Sequence, residues 1–404
     1  MISVHRFSVS TLLACLGFCL APLAMHAQTG TTNWLPTEPG NFMENSNWSD
    51  NVPQMEGYGN TGFFAINNGG EARLSASNEV ASGQLGQASG QSGTLTLLTG
   101  ADLILTRNDL EDDTYGTIFV GGAGQGTLNI SGGTLNTVDL QVGSQSGGTG
   151  SVVFSGGSAD LSGVLYVGNG GTGTFTQTLG VLNAGTASIG SQSSGTLTAT
   201  GGILDIGTLT VGDAGQGTLS VSGTAAIETG SVTLGNNSGS TGSATLNGTT
   251  WTNSGNFLVG SIGSGELTIE NGASLAVGGY LALSGASGSL TLDGGTLFVS
   301  QTLTIGAYGH GTATVTNGST LNANTIVISG ESPAHDSSLT VEDSIIEAAQ
   351  IAGMDNGHLS ITDSTIRFMQ DNGAYFLSLD EEVAGVGPGG AVESGGAGGA
   401  GVVA

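Results

Sequence analysis

One short pattern, written eleven times between Ile118 and Phe368, restricts this chain more than any other feature. A clear copy is Leu209-Thr210-Val211-Gly212, a turn, then Gly217-Thr218-Leu219-Ser220-Val221. The residue closing the first run falls at 121, 143, 168, 190, 212, 235, 260, 284, 306, 329 and 353, and is Gly except at Ser284 and Ser329. Steps of 22 to 25 residues point to a repeat architecture before any other fold is considered.

Inside each copy the period is two, the period of a strand. The second run should turn two positions inward: 128/130, 152/154, 175/177, 197/199, 219/221, 244/246, 267/269, 290/292, 313/315, 339/341 and 359/361. Of these 22 sites only Gln177 is polar, in a chain that is 37% hydrophobic, so the alternation is not accidental. A third apolar site follows a Gly or polar turn, as at Leu135, Leu204, Trp251, Leu275, Leu297, Leu321, Ile346 and Ile366. Three short strands per copy cannot bury their own apolar face, so each copy must stack on its neighbours. The expected fold is all-β: a right-handed parallel β-helix (β-solenoid) of about 11–12 rungs, roughly 50 Å long at about 4.8 Å per rung.

Residues 1–27 read as a signal peptide, with Arg6 in a short n-region, an apolar run from Phe7 to Leu23, and a cleavage point at Ala27-Gln28. Leu12-Leu13-Ala14-Cys15 loosely resembles a lipoprotein box but lies inside the apolar run. Cys15 and Cys19 are the only cysteines, so the mature chain would have no disulfide, which leans towards a bacterial exported protein. Residues 28–85 gather Trp34, Trp48, Phe42, Phe63 and Phe64 and are expected to cap the first rung, with a sugar site built on exposed Trp as the alternative. Residues 86–368 hold the solenoid repeats, interrupted by a loop from Arg107 to Asp113. Residues 369–404 are expected to form an irregular Gly-rich tail.

The chain has no Lys, and its Arg are residues 6, 73, 107 and 367. Three of these and all 31 acidic residues lie beyond residue 27, which leaves a mature net charge of −28. Such a surface argues against nucleic acid and anionic membranes as partners, and no apolar span remains in the mature chain.

The grammar Val120-Gly121, short turn, Gly126-Thr127-Leu128, then Gly132-Gly133-Thr134-Leu135 resembles the repeat of bacterial autotransporter passengers and of exported proteins with a PEP-CTERM sorting tail. The opening with Trp34, Asn47-Trp48, Pro53 and Ile66-Asn67-Asn68-Gly69 is similar to theirs too. The resemblance implies export to the extracellular space or cell surface (outer membrane associated) of a Gram-negative bacterium, and a role in adhesion or extracellular matrix. Neither a translocating barrel nor a sorting tail is written in these residues.

Parallel β-helices also host polysaccharide lyases and hydrolases. Asp112-Asp113 and Gly309-His310-Gly311 match pieces of the polygalacturonase type, but they lie about eight rungs apart, roughly 40 Å, too far to share one bond. The expectation is therefore no enzyme, no cofactor and no catalytic residue. Glu342-Asp343, Asp355, Asp363 and Asp380-Glu381-Glu382 lack the alternating spacing of a calcium loop and read as a solvated acidic face, with no metal expected. The outward positions of the second strand carry a hydroxyl ladder whose clearest members are Thr174, Thr176, Thr196, Thr198, Thr218, Ser220, Thr312 and Thr314. Thr suits exposed strand positions for ordinary reasons. The same ladder would also suit a periodic ligand, and the expected partners are an extracellular polysaccharide or the surface of a host or neighbouring cell. A Thr-x-Thr face resembles that of β-helical ice-binding proteins, with Glu266 and His358 breaking the array. Gln177→Leu is expected to be neutral or stabilising.

Overall fold

The computed structural model describes residues 31–53, 62–105, 116–329, 336–353, 357–370, 373–379 and 383–384. The leader, Arg107, Asp112-Asp113, Asp355, Asp380-Glu381-Glu382 and the Gly-rich end of the tail lie outside these residues. The described chain is a parallel β-solenoid of about 12 turns with a spacing of about 23 residues, and its one helical element is the single turn Asn45–Asn47.

Each rung contributes to three sheets in turn. Thr117–Val120 lies in sheet 1, and Gln125–Thr137 bends through sheet 2 (residues 125–131) and sheet 3 (134–137). The next rung opens with Asp139–Val142 on top of Thr117–Val120. Thr149–Val167 then passes through sheets 2 and 3 and returns to sheet 1 in a single run. The registers align like with like. Leu128 pairs with Val152, and the same column continues through Phe175, Leu197, Leu219, Ala244, Leu267, Leu290, Ala313, Leu339 and Leu359. All 22 sites expected to point inward are buried, Gln177 included, as are all eight third-strand sites from Leu135 to Ile366. A rung-on-rung core of this kind distributes the hydrophobic stabilisation evenly along the rod.

The corner between sheets 1 and 2 explains the closing glycine. Gly212 has φ +71°, a left-handed conformation, and a Cβ there would stand 2.1 Å from the Thr241 carbonyl of the next rung. Where Ser284 occupies the closing position, the left-handed residue is Gly285 instead, with φ +70°. At the Ser284 rung the left-handed glycine is thus displaced by one place.

Both ends differ from expectation. Rungs begin earlier than residue 86: Phe63–Ile66, Asn68–Leu74 and Ser77–Val80 already pair in parallel with the strands of the following turn. Only the stretch before them acts as a cap. There Trp34 packs edge-on against Trp48 at 5.0 Å, Trp48 and Phe42 pack edge-on with each other and with Phe64 at 4.8–6.1 Å, and the Trp48 indole donates to the Phe42 carbonyl at 2.7 Å. Both tryptophans are 3% exposed, so they close the core and do not offer a sugar platform. At the other end the tail is not irregular from 369. Gly373–Leu379 folds back antiparallel on Ser364–Gln370, and Val383–Ala384 pairs antiparallel with Gly357–Thr362. Reversed strands occupy sheet edges that a parallel rung would otherwise extend.

Candidate ligand-binding faces

Sheet 2 carries the expected hydroxyls in two columns. The first reads Thr174, Thr196, Thr218, Ser243, Glu266, Ser289, Thr312, Ser338, His358. The second reads Thr176, Thr198, Ser220, Thr245, Thr268, Thr291, Thr314, Thr340, Ser360, without a break. Glu266 and His358 thus interrupt one column and leave the other whole. Thr218 and Thr312 are exposed, while Thr174, Thr176, Thr196, Thr198, Ser220 and Thr314 are half-buried among their neighbours. The hydroxyls repeat at about 4.8 Å along the rod and about 7 Å across it. Towards the N-terminal end the face becomes a charged chain. Asn129 donates to Thr96, Thr96 to Glu71 at 2.8 Å, and Glu71 is bridged by Arg73 at 2.9 Å. The Arg73 hydrogen bond, with help from Thr96, holds the Glu71 carboxyl below its ordinary range against the opposing effect of burial.

A second face was not foreseen. At the corner between sheets 3 and 1 an open groove of about 600 Å³ runs across five rungs, from Leu105 to Gly207. One lip is a single outward column of sheet 3 in which Asn136 pairs with Asp160, Asp160 with Asn183, and Asn183 with Asp205. Asn183 donates to Asp160 at 2.5 Å, and Asn136 donates to Asp102 at 3.0 Å. Leu161 and Ala184 line the groove from the core side, and Gly185 and Gly207 keep the corner low. A Cβ on Gly207 would meet the Gly185 carbonyl at 2.6 Å. The missing signal was vertical: these four residues make no motif within any rung and become one only when rungs are stacked.

The remaining sites dissolve into turn structure. His310 is exposed in the turn slot before Gly311, which pairs with Gly288, so it takes the place that Ser287 holds one rung earlier. Asp343 and Asp363 have φ +47° and +45°, and the Asp343 position continues a column of left-handed turn residues with Asn317 below it. Asp and Asn tolerate that conformation better than other side chains, which accounts for the residue type at these two turns. Among the described residues no group of three His, Cys, Asp or Glu comes together as a cation site.

No family model, curated protein or solved structure matches this chain. Among the described residues no helix is long and apolar enough to cross a membrane.

Proposed function

We propose that this protein is an exported, non-enzymatic rod that presents a repetitive surface outside a Gram-negative cell, in the manner of autotransporter passengers and PEP-CTERM-associated repeat proteins. The observation that carries the reading is the unbroken hydroxyl column from Thr176 to Ser360. A surface that repeats the same weak contact at every rung gains affinity by multivalency and needs no single pocket. Support for export comes from the Arg6 n-region, the apolar run to Leu23 and the absence of cysteine after Cys19. The partner would be an extracellular polysaccharide or another cell's surface, and the acidic chain disfavours polyanions.

The carbohydrate-active alternative keeps one supporting observation. Asp160 and Asp205 stand two rungs apart in one groove, a backbone spacing of about 9.6 Å, just above the carboxyl separation of about 6.5–9.5 Å used by inverting glycosidases. Asn183 lies between them and bonds to Asp160, which suits recognition better than water activation. Release of reducing ends from a polysaccharide, abolished by Asp205→Asn, would favour the enzyme.

Fractionation of the native host with intact-mass measurement tests the main reading. A species beginning at Gln28, in the medium or held in the outer membrane, is the expected result. An unprocessed chain confined to the cytoplasm would overturn it.

A further inference from the structure

We propose that the groove between sheets 3 and 1 is a glycan cleft that takes an extended, uncharged β-linked polysaccharide lying along the rod. The inference rests on the surface-presenting role above and names the ligand class and the place where it is held. Its first support is the order of the lip. Amide and carboxylate alternate as Asn136, Asp160, Asn183, Asp205, so each type recurs every second rung, about 9.6 Å. In an extended β-linked chain successive sugars are turned over, and like hydroxyls also recur every second residue at a comparable length. A carboxylate accepts from two hydroxyls, and an amide both donates and accepts, which is the pairing that vicinal hydroxyls require. Asn183 spends one N–H on Asp160, and Asp205 at the end of the run is exposed to solvent.

The second support is independent of the acids. In the adjacent outward column, on the side of the lip away from the groove, Val181 pairs with Ile203, and Ile203 is 43% exposed, so an apolar pair borders the polar lip. Further along the polar column, Asp205 is followed by Glu228, Thr252, Ala276 and Phe298. Phe298 is 45% exposed, and Tyr280, 38% exposed, follows the Gly278-Gly279 corner in the rung below. Exposed large apolar side chains also occur elsewhere, as at Tyr308 and Ile262, but Phe298 is the exposed aromatic that lies in the polar column itself. An aromatic ring beside a glycine corner offers a sugar an apolar face to stack on, in line with the hydrogen-bonding lip. The chain's charge of −27 selects against a polyanionic glycan.

Calorimetry on the purified protein tests this with uncharged β-linked gluco-oligosaccharides of increasing length and with a polyuronate as the charged control. Binding is expected for the neutral series, with none for the polyuronate. Replacing both Asp160 and Asn183 with Ala should weaken binding at least about tenfold at every length. Phe298→Ala should weaken only chains longer than about six sugars, because six rungs, about 29 Å, separate Asp160 from Phe298. All three side chains point outward, and unchanged circular dichroism would confirm that the variants fold. No binding by any neutral oligosaccharide, full binding by the double variant, or a heat signal from calcium alone would each overturn the cleft. A protein found on the cell surface that binds none of these sugars loses the cleft and keeps the presenting role. A protein retained in the cytoplasm loses the presenting role itself.

Discussion

The side-chain amide of Gln177 donates to the Ile203 carbonyl of the next rung at 3.1 Å and to Gly180 in its own rung at 3.2 Å. The ladder slips at this point. Phe154 pairs with Gln177 but Ser155 pairs with Leu179, so Thr178 is left without a partner below and Leu179 is turned out to 58% exposure. The amide supplies donors where the backbone ladder is irregular. Its own Oε1 is buried without a partner among the described residues.

Two substitutions separate these contributions. Gln177→Leu loses two hydrogen bonds, about 1 kcal/mol each, and removes an unpaired buried oxygen of similar cost, so stability should stay within about 1 kcal/mol. Gln177→Glu should lose more than about 3 kcal/mol at pH 7, because it buries a carboxylate and removes both donors. Burial raises that carboxyl's folded pKa, so the folded state holds the proton longer. Stability should therefore fall as pH rises above about 4.3. Urea melts at pH 4 and pH 7 check the sign. A Glu variant equal to the parent at pH 7 would mean the side chain has left the core.

The corner glycines should divide sharply by what surrounds them. Gly212→Ala drives a Cβ to 2.1 Å from the Thr241 backbone carbonyl, in a residue held at φ +71°. Only backbone movement can relieve that contact, and a loss above about 3 kcal/mol is expected. Gly239 has φ +80° but no atom within 4 Å of its would-be Cβ. Gly239→Ala should cost only the left-handed conformation itself, about 1–2 kcal/mol. Equal losses in matched denaturant melts would show that packing between rungs is not what holds the corner.

What could be read in advance was whatever recurs inside a rung. Leu128 and Ile130 stand two apart in every copy, so the core columns followed from strand period alone. What depends on stacking was hidden. Asn136 and Asp160 are 24 residues apart in an otherwise unremarkable strand position, and their alternation is visible only down the column. The early rungs were missed because Asn68-Gly69-Gly70-Glu71 replaces the usual Gly-Thr opening while keeping Ala72 and Leu74 inward. Trp251 follows the apolar pattern, but nothing local in the sequence marks the partner its indole needs. Its indole donates to Thr229 at 2.9 Å, Thr229 donates to Asn253 at 2.9 Å, and Asn253 donates to the Gly255 carbonyl at 2.7 Å. A buried indole N–H requires such a partner, and the two polar residues come from separate rungs.

The last two rungs of sheet 3 should respond to acid before the rest of the rod. Arg367 bridges to Glu347 at 2.8 Å, and Asn322 from the rung below donates to the same carboxylate at 2.8 Å. The Arg367 hydrogen bond, then that from Asn322, holds the Glu347 carboxyl below its ordinary range despite partial burial. With the folded pKa depressed, the bridge's contribution is complete above the unfolded value of about 4.3 and is lost as pH falls through the folded one. Both side chains are partly exposed, so the contribution is modest, about 0.5–1 kcal/mol. Hydrogen exchange of residues 345–353 and 357–368 should accelerate between pH 5 and pH 3, after correction for intrinsic rates, more than that of residues 194–222. Arg367→Gln should reproduce the acid behaviour at neutral pH. Uniform acceleration along the rod in acid, or an Arg367→Gln variant whose terminal rungs exchange like the parent's, would show that the bridge does not secure this end.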